Sequence, residues 1–256
     1  MKLMCWNVNG IRAVSKKGFW EWIARENPDI VCLQETKANP SQLEPDMIKP
    51  PGYTTYWASA QKPGYSGVAL LVKKTPLEVK VGMGIPEFDN EGRSLIAVYA
   101  DFILFNGYFP NGKDDLSRVD YKLRFSESAK NFMLDLKNRL GKPLIICGDV
   151  NTAHQEIDIA RPKENQGTTG FLPQERAWVK QFIESGFIDI FRKRHPAEIM
   201  YSWWSYRAMA RERNVGWRID YFFITPELES RVTKTYYQNE VFGSDHCPVV
   251  LELADA

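Results

Sequence analysis

The sequence has no hydrophobic run of the about 18–20 residues that a bilayer-spanning helix requires. Its apolar stretches are short, such as Val68-Ala69-Leu70-Leu71-Val72, and residues 1–7 have too little apolar length for a signal peptide. Cysteine is sparse: Cys5, Cys32, Cys147 and Cys247 form no C-x-x-C pair and lie in or beside apolar, strand-like runs. This pattern predicts reduced, buried thiols in a cytoplasmic protein and speaks against a zinc site. Neither charge sign dominates: 33 Lys+Arg stand against 32 Asp+Glu, a formal net charge of +1. A globally basic nucleic-acid binder is therefore not indicated, and a site for a polyanion has to arise from local segregation of charge. There is no phosphate loop of the type G-x-x-x-x-G-K-[ST] and no nucleophile elbow G-x-S-x-G. The segment Gly64-Tyr65-Ser66-Gly67 has the wrong spacing for both. A dinucleotide enzyme and a serine hydrolase are disfavoured, and the lack of an obvious nucleophile favours direct attack by an activated water.

What is present is an ordinary globular composition, with 44% hydrophobic and 25% charged residues over 256 positions. Disorder, collagen and coiled-coil readings are excluded, and no linker or low-complexity segment divides residues 1–256, which read as a single domain. Short apolar runs alternate with helical patterns. Residues 3–8 read as a strand, 16–27 as a helix burying Phe19, Trp22 and Ile23, and 30–33 as the next strand. Residues 67–73, 94–100 and 102–108 read as further strands. Apolar side chains at 125, 129, 132, 133, 136 and 140 make a 3.6-residue stripe over 117–140. Residues 143–147 form a strand-like run, and Pro173 opens a helix with the stripe Trp178, Val179, Phe182 and Ile183. Runs at 218–225 and 248–253 complete an α/β sandwich of two β-rich sheets covered by helices, with halves alike in plan.

Polar residues recur where these hydrophobic runs end. Asn7 and Asn9 follow one, Glu35 the next, and Tyr108 another. Asp149 and Asn151 follow a fourth, Asp220 interrupts 218–225, and Asp245-His246 precedes the last. One such placement is the ordinary liking of Asp and Asn for turns. Six suggest strand ends converging on a cleft. Gathered carboxylates repel unless a cation or proton compensates. Glu35, Asp149 and Asp245, with the amides of Asn7 and Asn151, offer oxygen rather than thiol, which suits Mg²⁺, or Mn²⁺ in its place, better than Zn²⁺. His246, its tautomer fixed by Asp220, fits a base or a charged phosphate clamp. His195 reads as part of a solvated basic turn, and His154 as either rim or structure. Tyr201, Trp203, Trp204, Tyr206 and Trp217 are interleaved with Arg207, Arg211, Arg213 and Arg218, a pattern that offers stacking surfaces and phosphate forks. Arg12, Lys16 and Lys17 add a second basic stretch.

These blocks resemble the exonuclease III type of apurinic/apyrimidinic (AP) endonuclease over essentially the whole chain. The resemblance is carried by Trp6-Asn7-Val8-Asn9-Gly10-Ile11-Arg12-Ala13, Leu33-Gln34-Glu35-Thr36-Lys37, Gly64-Tyr65-Ser66-Gly67-Val68 and Asn106-Gly107-Tyr108-Phe109-Pro110-Asn111. It continues through Cys147-Gly148-Asp149-Val150-Asn151-Thr152-Ala153-His154, Gly170-Phe171 with Pro173-Gln174-Glu175-Arg176, Asn214-Val215-Gly216-Trp217-Arg218-Ile219-Asp220-Tyr221 and Gly243-Ser244-Asp245-His246-Cys247-Pro248. It implies a four-layer α/β sandwich of the DNase I-like type and a Mg²⁺-dependent, monomeric base-excision-repair enzyme acting on double-stranded DNA at abasic sites. It implies cleavage 5′ to the lesion, with 3′→5′ exonuclease or 3′-repair activity beside it.

The resemblance also assigns roles. Glu35, Asn7 and Asp245 would hold the metal. Asp149 would polarise water or protonate the leaving oxygen, Asn151 would orient it, and His246 held by Asp220 would neutralise the phosphate or act as base. Tyr108 would present its phenol to the phosphate. Arg12, Lys17, Tyr65, Asn111, Asn165 and Arg207 would contact DNA, while Trp203, Trp217 and Ile219 would wall a pocket for the base-less sugar. Two departures stand out. Asn9 occupies a position where some members carry Asp, and residues 112–116 do not supply the Arg that some members insert into DNA, a part that Arg207 is expected to fill only partly, leaving the wedging side chain open. Two other readings are a phosphoesterase of the same fold acting on a small phosphorylated molecule and a catalytically inactive nucleic-acid-binding relative. The aromatic and basic segment argues against the first, and the intact polar set against the second.

Overall fold

The computed structural model describes residues 1–254. The strands are β1 (Lys2–Asn7), β2 (Ile30–Gln34), β3 (Thr54–Ala58), β4 (Val68–Val72), β5 (Glu78–Val81), β6 (Ser94–Val98), β7 (Ile103–Tyr108), β8 (Leu144–Asp149), β9 (Ile188–Asp189), β10 (Asp220–Ile224), β11 (Val232–Tyr237) and β12 (Val249–Leu253). The helices are α1 (Ile11–Val14), α2 (Phe19–Glu26), α3 (Pro45–Ile48), α4 (Pro86–Asp89), α5 (Val119–Leu140), α6 (Pro173–Glu184) and α7 (Ile190–Arg194).

Two six-stranded sheets form, in the orders β11-β12-β1-β2-β4-β3 and β5-β6-β7-β8-β10-β9. Each has one parallel pair at its centre, β1/β2 and β7/β8, joined by a helix-bearing crossover and flanked by antiparallel strands. The similar plan of the two halves is thus visible in the topology.

The central strands are buried on both faces, which is why their sequences run as unbroken apolar stretches rather than alternating. Leu3, Cys5, Cys32 and Leu70 of one sheet pack against Leu104, Ile145, Cys147 and Phe222 of the other. The outward residues Met4, Trp6, Val31 and Leu33 receive Phe19, Trp22 and Ile23 of α2. Phe105, Ile146 and Phe223 receive Phe125, Ala129 and Met133 of α5 with Trp178, Val179 and Phe182 of α6. The layers are therefore helix, sheet, sheet, helix, the four-layer sandwich that the resemblance implied. All four cysteines are free and buried. Among the described residues no helix is long and apolar enough to cross a membrane.

The helix expected over 16–27 is broken. Gly18 takes φ +86° and separates the short α1 and a 3₁₀ turn at Ser15–Lys17 from α2. Only a residue without Cβ adopts that conformation at little cost. Strands β3, β5, β9 and β11 have no counterpart in the sequence reading. Of these, β3, β5 and β9 end their sheets, and β11 caps the other edge of the first sheet, where polar residues break the apolar signal.

Candidate active site

The carboxyl ends of both central parallel pairs open on the same side. Register places Asn7 beside Gln34 at the end of one sheet, with Glu35 next in the chain. In the other sheet Tyr108 and Asp220 both lie alongside Asp149, on opposite flanks of β8. Gly148 makes this close approach possible: its φ is +146°, and a Cβ there would overlap the Gly107 carbonyl of β7. Between the two sheet ends lies a cavity of about 360 Å³, lined by Glu35, Tyr108, Asn111, Asp149, Asn151, Trp203, Trp217, Ile219, Asp245 and His246. Ten residues expected from sequence thus meet in one cleft. Thr168, Thr169, Gly170 and Asp114 complete the lining and were not singled out. Only Gly170 carried a signal, as part of a quoted motif.

The polar residues are tied into one network. Asn7 donates through Nδ2 to Glu35 Oε1 and to Asp149 Oδ2, both at 2.9 Å, while its Oδ1 accepts from the Asn9 N–H. As placed, Asn7 bridges two carboxylates and turns its amide nitrogen, not its oxygen, toward them. Glu35 Oε2 lies 2.8 Å from Lys37 Nζ, which also donates to Asn9 Oδ1. Asp245 accepts from Asn9 Nδ2 at 2.9 Å and from the Trp203 indole at 3.1 Å. Asn151, at φ +53°, donates to the Phe109 carbonyl and to Asp149 Oδ2 and accepts from Asn111.

His246 Nδ1 lies 2.8 Å from Asp220 Oδ2, and Nε2 faces Asp149 Oδ2 at 3.9 Å. Burial disfavours the imidazolium, but the Asp220 charge and hydrogen bond, with Asp149 and Asp245 behind them, outweigh it and push the imidazole up to about 10. Burial and the neighbouring Asp220 carboxylate push the Asp149 carboxyl well above the usual range. For Glu35, burial opposes the charge, yet Lys37 and Asn7 prevail and hold it low. The Tyr108 phenol is driven well above its ordinary value by burial and by Glu35, so it stays a donor. The Arg93 guanidinium, which the sequence reading missed, lies 4.8 Å under the Tyr108 ring and donates to its carbonyl.

Glu35, Asp149 and His246 bring ligand atoms within 4.8 Å of one another, the one such cluster among the described residues. Four carboxylates, Glu35, Asp149, Asp220 and Asp245, face two cations, Lys37 and His246. The buried Asp220 Oδ1 has no hydrogen-bond partner. This surplus of hard oxygen donors fits a divalent cation of the magnesium class.

The remaining expected residues are dispersed. Arg12, Lys17 and Arg207 are exposed, and Lys17 lines a second depression beside Asp245 with the exposed Tyr206, Met209 and Phe242. The Tyr65 hydroxyl is held by Arg93 at 2.9 Å. Asn165 spends its Nδ2 on the carbonyls of Ala160 and Arg161. Two arginines of the 201–218 segment are engaged by the protein itself, one of them, Arg211, while still half-exposed. Arg218 is fully buried against Asp158 and Asp189, and Arg211 donates to the carbonyls of Ser244, Asn239 and Val241. The aromatic residues divide too: Tyr201 and Trp204 join the core between the sheets. Trp203 and Trp217 meet edge to face at 6.0 Å over Ile219, Ile159 and Phe171, an apolar patch set apart from the main core. His154 is structural in its backbone, which accepts from Arg176 and donates to the Tyr221 hydroxyl.

Comparison with known proteins agrees with this arrangement. The sequence pattern of the Endonuclease/Exonuclease/phosphatase family matches residues 4–246. An exodeoxyribonuclease of Bacillus subtilis is 45% identical over 98% of this chain and 98% of its own. The DNA repair nuclease APEX1 of Danio rerio is 44% identical over 99% of this chain and 82% of its own. Among solved structures, an AP endonuclease from Leishmania major superposes with a TM-score of 0.89 at 31% identity, covering 100% of this chain and 88% of that one. One from Archaeoglobus fulgidus gives 0.88 at 30% identity, covering 99% of both.

Proposed function

Because the chain belongs to the endonuclease/exonuclease/phosphatase family, we propose that it is a DNA-repair AP endonuclease of the exonuclease III type. It hydrolyses the phosphodiester 5′ to an abasic site in double-stranded DNA, leaving a 3′-hydroxyl and a 5′-deoxyribose phosphate, and carries 3′→5′ exonuclease or 3′-repair activity. The observation that carries this reading is the meeting, in one cavity, of Glu35, Tyr108, Asp149 and His246 with the apolar wall Trp203, Trp217 and Ile219.

The two halves of that cavity do different work. The apolar wall of Trp203, Trp217 and Ile219 offers an apolar face rather than a base-reading edge, so it suits a sugar that has lost its base. Extruding such a nucleotide costs least, because no base has to be unstacked. On the polar side, the imidazolium of His246, held by Asp220, places positive charge where a scissile phosphate would lie, and the Tyr108 phenol donates to a phosphate oxygen. Asp149 takes the proton of the attacking water, which Asn151 helps to orient. The water oxygen joins phosphorus as the bond from phosphorus to the upstream O3′ breaks, and the proton taken up by Asp149 passes to the departing O3′, which becomes the 3′-hydroxyl. Family members depend on a divalent metal; here Mg²⁺, or Mn²⁺ in its place, is proposed to be held by Glu35 and Asp245, and by Asn7 once its amide turns its oxygen rather than its nitrogen toward the carboxylates. Such an ion, when bound, supplies Lewis-acid neutralisation of phosphate charge.

Arg12, Lys17 and Arg207, with Tyr65, Asn111 and Asn165, are proposed to follow the DNA backbone. The near-zero net charge is then a matter of layout, with acidic residues at the centre and basic ones at the rim. The proposal takes residues 1–256 as one catalytic domain, since the site draws on residues from Asn7 to His246, and takes it to act as an intracellular monomer. It is tested with a duplex holding a single tetrahydrofuran abasic analogue, incubated with and without EDTA. Metal-dependent incision on the 5′ side is expected; no incision, or incision indifferent to EDTA, rejects it.

A further inference from the structure

A buried ion pair, Lys122 with Glu175, stands directly behind the cavity without lining it. Lys122 lies in the first turn of α5 and Glu175 in the first turn of α6, with side chains 3% and 0% exposed. Lys122 Nζ donates to Glu175 Oε1 and to the Asn151 carbonyl, both at 2.6 Å. Glu175 Oε1 also accepts from the Thr169 hydroxyl at 3.0 Å. Its Oε2 accepts from the N–H groups of Gly170 at 2.6 Å and Leu172 at 3.1 Å.

The pair therefore joins two separate stretches of backbone, Asn151 and residues 169–172, and both contribute to one side of the cavity. Each passes through left-handed backbone, and besides the ion pair one backbone bond joins them, from the Ala153 N–H to the Gly170 carbonyl at 2.8 Å. Asn151 and Gly170 have φ of +53° and +89°, and a Cβ on Gly170 would come within 3.0 Å of both the Asn151 carbonyl and the Trp217 ring. Gly170 thus lies between the Asn151 carbonyl and the Trp217 ring, so a shift of the loop is a shift of the wall.

Two apolar side chains of similar size would pack α5 against α6 equally well, and buried ion pairs are seldom the more stable choice. What an apolar pair lacks is direction. Here the charges aim four hydrogen bonds at the two loops. An apolar pocket discriminates only as far as its wall refuses to yield, since no polar contact rejects the wrong substrate.

Resting on the abasic-endonuclease reading, we propose that Lys122 and Glu175 are positioning residues that fix the width of the sugar pocket. The preference for a base-less over an intact nucleotide then depends on a pair that touches neither.

The test compares two activities of the full chain: incision at a tetrahydrofuran site and removal of an intact 3′-terminal nucleotide. The ratio of their kcat/KM values is measured for the wild type, Glu175→Gln and Lys122→Arg. A glutamine of the same size turns an NH₂ either toward Lys122 or toward the Gly170 and Leu172 N–H groups, donor against donor. Glu175→Gln is expected to lower the ratio about tenfold, while Lys122→Arg, which keeps the charge, stays within about threefold of wild type. If Glu175→Gln reduces both activities by one factor, or neither, the proposal is overturned. Amide exchange on the wild type decides the matter if the variant does not fold. Gly170 and Leu172 exchanging as slowly as β8 supports the clamp, and exchange at open-loop rates refutes it. A wild type that leaves the abasic duplex uncut sinks the functional reading instead, with the exchange result still deciding whether the clamp exists.

Discussion

Asp149 and Asp220 are register partners, directly opposite on the antiparallel strands β8 and β10 and 1% and 0% exposed. Two buried carboxylates so placed cannot both stay charged without compensation. The imidazole of His246 compensates them unequally, hydrogen-bonded to Asp220 at 2.8 Å but 3.9 Å from Asp149. Asp220 is thereby committed to the imidazole, and Asp149 is left as the carboxyl free to exchange its proton with a water in the cavity. The division of labour between two chemically identical groups follows from which one the ring touches.

Replacing Asp149 by Asn removes that proton acceptor while keeping the side chain's size. Single-turnover incision of the abasic duplex is expected to slow by about 10²–10⁴ while duplex binding survives. Loss of binding in step with turnover would mean that the residue holds the fold rather than the reaction.

In the metal-free protein His246 gives a pH dependence of known sign. Its pKa is raised from 6.5 to about 10 by folding, so the folded state holds the proton more tightly. The stability this contributes is complete below the unfolded value and is lost as pH rises through the folded one. Asp149, also raised, acts in the same direction at lower pH. The Tm in EDTA should therefore fall between pH 6.5 and 10. Asp220→Asn, which removes the main cause of the shift, should flatten that fall, and an equally steep decline in the variant would contradict the assignment.

Glu35 is the carboxylate of the cluster held charged, by Lys37 and Asn7. Glu35→Gln should raise the Mg²⁺ concentration at half-maximal incision by about tenfold or more. Titration of activity against Mg²⁺ reads this directly, and an unchanged midpoint would remove Glu35 from the metal site.

Gly148→Ala should destabilise the protein by about 3 kcal/mol or more, since the new Cβ meets the Gly107 carbonyl, a backbone atom with no room to move. Urea unfolding of the variant gives the value. A loss under about 1 kcal/mol would show that β7 and β8 separate more easily than their register suggests.

Much of the site was legible because its residues mark the points where hydrophobic runs stop, and a strand packed on both faces stops where the sheet does. Asn7, Glu35, Tyr108 and Asp149 are all of this kind, and Asp220 stands where such a run begins. What stayed hidden is partnership. Arg218 reads in sequence as one more basic residue beside a tryptophan, yet it is fully buried between Asp158 and Asp189, residues far from it along the chain. Arg211 likewise serves three backbone carbonyls. Lys122 falls one helical turn before Phe125 on the buried face of α5, but a lysine there breaks the apolar stripe instead of announcing a pair. The strands β5 and β11 escaped because Glu-Val-Lys-Val and Val-Thr-Lys-Thr-Tyr-Tyr show too little continuous apolar character at the partly exposed sides of their sheets. The break at Gly18 escaped because apolar spacing continues on either side of it.

The strand β12 lies between β1 and β11, with Met4 opposite Val250. During synthesis, then, the first strand waits for one of the last. A nascent chain still short of residue 246 already holds Asp149 and Asp220 but neither the imidazole that balances them nor the strand β12 that pairs with β1. The counter-charge of the two aspartates and the antiparallel neighbour of β1 therefore arrive together, well after the carboxylates they serve.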